Sequence, residues 1–87
     1  MISKRQINIY LKYNADGDGF ARCATKSEKR ILIDDVWSLL DDIVFDLHLL
    51  KSGLASKENS KSIADKLEKY IGDESLIKIL SDYSSKG

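Results

Sequence analysis

Cys23 is the only thiol and His48 the only imidazole in this 87-residue chain, and a Cys–His pair is the arrangement that turns a thiol into a reactive thiolate. Nothing in their spacing brings them together. The residues within helical reach of His48 are Val44, Phe45, Lys51 and Ser52, so the imidazole has neither an orienting carboxylate nor a second metal ligand on its own face. A lone cysteine is more often a small buried apolar residue than a nucleophile. Asp42 and Asp46 share a helical face, but two carboxylates on a solvated helix are ordinary surface rather than an acid and a base. The expectation is a protein that is not an enzyme and holds no cofactor.

His48 and the carboxylate pair lie in one stretch, residues 34–52, which carries five of the fourteen acidic residues. Laid out at about 100° per residue, Val36, Leu39, Leu40, Ile43, Val44, Leu47 and Leu50 share a broad apolar side, with Trp37 at its edge. The opposite side holds Asp34, Asp35, Ser38, Asp41, Asp42, Asp46, His48 and Ser52, and in their midst stand Phe45 and Leu49, one turn apart. Two apolar side chains ringed by carboxylates need a cover. It is supplied either by the chain's own basic first third, whose cations then pair with the aspartates, or by a protein partner with a basic surface. The second reading assigns partner binding to Asp34, Asp35, Ser38, Asp41, Asp42, Phe45, Asp46, His48 and Leu49, an apolar centre inside a charged rim. In size and charge the chain is then similar to small inhibitors, nuclease-immunity proteins among them, that set acidic helical surfaces against basic targets. A homodimer is compatible with either reading.

Net charge is zero, yet it is segregated. Residues 1–33 carry seven basic side chains against three acidic, residues 34–53 one against five, and the remainder six against six. Lys4, Arg5, Arg22, Lys26, Lys29 and Arg30 would form the footprint of a nucleic-acid-binding alternative. The neutral total, the acidic central segment and the lack of a stacking or recognition-helix motif argue against it. The N-terminus has no apolar run of signal-peptide length, and aspartates interrupt every longer apolar stretch. A cytoplasmic protein without a membrane span is expected.

The elements that must position these residues are helical. Ser3 and Gln6 fit a capping box, with Ile2 and Ile7 as its hydrophobic staple, so residues 4–13 read as a helix. The alternation of Ile7, Ile9, Leu11 and Tyr13 offers a strand instead, which would make an α+β protein with a hairpin at about 7–25. Thr25 and Glu28 suggest a second box and a short helix over 26–32. Asp34 or Asp35 would cap the central helix and Gly53 end it. Ser56 or Ser60 starts the next helix, with Ile63, Ala64, Leu67, Tyr70 and Ile71 on its stripe and Gly72 at its end. Asp73 caps a last helix carrying Leu76, Ile77, Leu80 and Tyr83. The expected architecture is an all-α bundle of four to five helices around the 34–52 helix, one domain over 1–83 with a polar tail at 84–87.

The segment between the first two helices resembles an EF-hand calcium loop. Asn14, Asp16 and Asp18 stand at the first, third and fifth ligand positions, Gly19 at the turn, and Phe20 where the seventh position offers its carbonyl. Tyr10 and Tyr13 match the aromatics of an incoming helix. The resemblance implies a calcium-binding module as an alternative function, with Asn14, Asp16, Asp18 and Phe20 as ligands. The pattern departs at the twelfth position, where a bidentate Glu is replaced by Thr25, and at the eighth, which is Ala21; Glu28 comes three residues late.

Overall fold

The computed structural model describes residues 1–15 and 19–85, with Ala15 by its backbone only, and the chain is all-α. Its helices are α1 (Lys4–Ala15), α2 (Phe20–Cys23), α3 (Lys26–Ile31), α4 (Asp34–Lys51), α5 (Lys57–Tyr70) and α6 (Glu74–Ser84). No strand occurs among the described residues, so the hairpin alternative is not supported. The apolar alternation that suggested one arises because α1 is buried over a broad arc: Ile7, Ile9, Tyr10 and Tyr13 are all buried. The helix beyond the expected four to five is α2, a single turn. The chain forms two compact units, residues 2–40 and residues 41 onward with Met1, and the boundary falls inside α4.

In the 2–40 unit the N-terminal capping box forms: the Ser3 N–H donates to Gln6 Oε1 at 2.9 Å and the Gln6 N–H to Ser3 Oγ at 3.2 Å. Gln6 also reaches forward, its Nε2 donating to the Ile31 carbonyl at 2.9 Å and satisfying an acceptor that the end of α3 would otherwise leave open. The second box forms at Thr25 and Glu28. The Glu28 carboxylate is a hub. Its Oε1 accepts from the Thr25 N–H at 3.0 Å and from the Tyr13 hydroxyl, and its Oε2 from Lys12 Nζ at 3.1 Å. The Thr25 N–H first, and the Tyr13 hydroxyl next, hold this carboxyl down from 4.5 to about 2. The hydrogen bond to Glu28 in turn raises both Lys12 and Tyr13 above their ordinary values.

α2 is held through Phe20. Its ring stacks on Trp37 at 4.8 Å and meets Tyr13 edge-on at 5.7 Å, while Trp37 also packs on Tyr10 at 4.7 Å. Aromatic pairs at these separations add to simple burial. Neither Asp34 nor Asp35 caps α4. Ile33 takes the flanking position, its carbonyl accepting from the Trp37 N–H at 3.0 Å, and the two aspartates sit in the first turn, where the helix dipole favours negative charge.

In the second unit, α4 ends in a Schellman motif: Gly53 adopts φ 71°, the Gly53 N–H donates to Leu50 O at 3.3 Å and the Leu54 N–H to Leu49 O at 3.1 Å. Ser56 caps α5 and Asp73 caps α6. Ile43, Leu47, Ile63, Leu67, Ile71, Leu76 and Leu80 are buried. Ala64, expected on the α5 stripe, is exposed. Lys51 Nζ donates to the Ser81 carbonyl at 2.7 Å and to the Ser85 hydroxyl, fastening the end of α4 to the end of α6. The last helix continues one residue past the expected 83; Ser84 is buried and its hydroxyl donates to Ser81 O at 2.7 Å. Among the described residues no helix is long and apolar enough to cross a membrane.

Candidate functional site on the exposed face of α4

Of the residues assigned to partner binding, three belong to the 2–40 unit. Asp34, Asp35 and Ser38 are exposed there. Asp34 borders an open cleft of about 370 Å³ together with Phe20, Ala21, Lys29 and Ile33. Lys29 is tethered at the same place, Nζ donating to the Ala21 carbonyl at 2.9 Å.

The remaining six lie in the second unit, and the structure sorts them into two groups. Asp41, Asp42, Phe45 and His48 are exposed; Asp46 and Leu49 are half-buried. Phe45 is the decisive side chain, a large apolar ring with 61% of its surface in solvent, two residues from fully buried Ile43 on the same helix. That contrast follows from the helical period, which turns positions two apart to nearly opposite sides. Leu49 and Asp46 are on the side of α4 that shares a groove with α5. Both border a groove of about 270 Å³ with Asn59, Ser62, Ile63 and Lys66, and Lys66 Nζ donates to Asp46 Oδ2 at 2.9 Å. At this pair the aspartate partner is thus a lysine twenty residues on, from a segment whose charges balance in sequence.

His48 carries its role in its backbone: its carbonyl accepts from the Ser52 hydroxyl at 2.8 Å at the end of α4. Cys23 is exposed rather than buried, because it ends a single-turn helix with no buried residue of its own. The basic residues Lys4, Arg5, Arg22, Lys26, Lys29 and Arg30 are all exposed on the 2–40 unit.

The EF-hand resemblance can be followed at Asn14, Gly19 and Phe20, since Asp16 and Asp18 lie outside the described residues. Asn14 is inside α1. Gly19 sits at φ −73°, ψ 121° as the residue before α2, a conformation open to any residue and not the sharp turn the sixth position needs glycine for. The Phe20 carbonyl accepts from the Ala24 N–H at 3.1 Å, and both oxygens of Glu28 already serve Thr25, Tyr13 and Lys12.

No protein-family model, no curated protein and no solved structure matches the chain. The functional reading therefore rests on the residues themselves. On α5, Asn59, Ser62 and Lys66 border the same groove as Asp46 and Leu49 without any local spacing that indicates it, while Ile63 beside them is the stripe position that periodicity predicts.

Proposed function

We propose that this chain is a non-enzymatic protein that docks on a basic protein surface through the exposed face of α4, acting as an inhibitor or immunity-type regulator of its partner. Phe45 is the apolar anchor, and Asp41 and Asp42 stand in the charged rim. The observation that carries the reading is the 61% exposure of Phe45 on a helix side where its exposed neighbours are Asp41, Asp42 and His48. A ring mostly in water gives the fold only part of the burial of a core phenylalanine, whereas in an interface an aromatic anchor surrounded by polar groups supplies a large share of the binding energy. The carboxylates suit a basic target and would accelerate encounter with it.

Phe45→Ser and Asp42→Lys test this in a pull-down from native cell extract followed by association kinetics on the retrieved partner. Phe45→Ser should remain folded and lose the partner. Asp42→Lys should slow association and reduce its dependence on salt. A folded Phe45→Ser variant that retrieves the same partners as the unaltered protein would falsify the proposal.

A further inference from the structure

α2 and α3 present a cationic surface. Residues 20–33 carry Arg22, Lys26, Lys29 and Arg30 against one carboxylate, Glu28, which is half-buried and engaged by Thr25, Tyr13 and Lys12. Lys26, Lys29 and Arg30 stand three and four residues apart and so share one face of α3; all three are exposed, as is Arg22. Among the described residues of the 2–40 unit none of the four forms a salt bridge. An apolar seat adjoins them. The open cleft of about 370 Å³ is lined by Phe20, Ala21 and Ile33 together with Lys29 and Asp34, and Ile33 keeps 52% of its surface in solvent. Asp34 is the one carboxylate in that lining, against Lys29 in the cleft and Lys26 and Arg30 on the same helix face.

α4 has the opposite character. Residues 34–50 hold five aspartates and no lysine or arginine, so Asp41 and Asp42 have no cation within helical reach. Asp46 meets Lys66 of α5, whereas Asp42 forms no salt bridge within the second unit and stands exposed beside Phe45. One chain thus carries an apolar ring among carboxylates and an apolar cleft among cations, complementary in charge and in polarity. Its net charge of zero removes the long-range repulsion that keeps copies of a charged protein apart.

We propose that the basic surface met by the exposed face of α4 is the α2–α3 surface of a second copy of this chain: Phe45 enters the cleft of Phe20, Ala21 and Ile33, and Asp41 and Asp42 face Lys26, Lys29 and Arg30. This rests on the docking reading above and names its partner. Donor and acceptor are different patches, so the contact is heterologous, and copies add head to tail until a ring closes.

Sedimentation of the whole protein from micromolar to millimolar concentration reads the association, and the single thiol reads where it occurs. A copy spin-labelled on exposed Cys23 is mixed with an isotope-labelled Cys23→Ser copy, so that broadening of amide signals arises only between molecules. The mass should rise with concentration, molar salt should move the half-association point upward by about tenfold, and broadening should centre on Asp41, Asp42 and Phe45. Asp42→Lys and Lys26→Glu/Arg30→Glu should each associate about tenfold more weakly than the unaltered protein. An equimolar mixture of the two should restore association, because reversed patch then meets reversed patch and unaltered meets unaltered.

A monomer mass across the whole range, association indifferent to salt and to both charge reversals, or broadening that spares α4 overturns the proposal. If the protein stays monomeric while Phe45→Ser loses a different basic protein from cell extract, the second copy is ruled out and the docking reading stands. If copies associate but Phe45→Ser associates as tightly as the unaltered protein and retrieves every partner, both fall.

Discussion

Ile43→Ala and Phe45→Ser, two residues apart on α4, should have sharply different effects on stability. Ile43 is fully buried, so its truncation removes transfer free energy and leaves a cavity, about 2–5 kcal/mol together. Phe45, with 61% of its surface exposed, retains roughly two-fifths of the burial of a core phenylalanine, ~0.6–1.2 kcal/mol out of about 1.5–3. Serine and phenylalanine have similar helix propensities, so the backbone adds little to the difference. Against a total stability of about 5–10 kcal/mol for a chain this short, the first change endangers the fold and the second does not. Urea unfolding followed by far-ultraviolet circular dichroism measures both, provided the denaturant slopes agree so that midpoints compare directly. A cost for Phe45→Ser equal to that for Ile43→Ala would show that the ring is covered by its own chain, and would remove the anchor from the proposed surface.

Glu28 should supply stability that is fully present above the ordinary carboxylate value of 4.5 and lost as pH falls toward about 2, because between those values the unfolded chain binds a proton that the folded chain does not. Tyr13→Phe removes one of its donors, so the Glu28 carboxyl should titrate at higher pH by carbon-detected magnetic resonance, with a loss of stability at neutral pH; an unmoved titration would show the Tyr13 contact to be incidental. Gly53→Ala should cost about 1–2 kcal/mol in thermal or urea unfolding, since φ is 71° while nothing lies within 4 Å of the added Cβ; a neutral change would contradict the left-handed terminator.

The helix boundaries were legible where a local chemical rule sets them. Ser3, Thr25, Ser56 and Asp73 cap as their types and spacings indicate, and Gly53 and Gly72 terminate with positive φ. The core stripe of Leu40, Ile43 and Leu47 was equally plain, because one helix face suffices to define it. Rules of this kind fail where nothing local is at work. α2 has no capping side chain and is too short for a periodic stripe; Phe20 holds it by packing on Tyr13 and Trp37. Ile33 precedes α4 without an acceptor side chain, so the neighbouring aspartates looked like the cap. At the candidate site, sequence identified Phe45 and the aspartates around it but not Lys66 of α5, which meets Asp46, since that pairing joins residues far apart in the chain.

The Glu28 hub sets how the 2–40 unit opens. A six-residue helix has no stability of its own, and the carboxylate that caps α3 is also the one that α1 grips through Lys12 and Tyr13. Fraying of α3 from its first turn therefore strips α1 of a charged contact in the same event, and loss of α1 deprives the α3 cap of its neighbours. Amide hydrogens in the two helices should exchange with solvent as one cooperative group, at a single opening free energy, and Glu28→Gln should lower their protection together. One acidic side chain thereby makes a foldon out of two helices that stand ten residues apart in the chain.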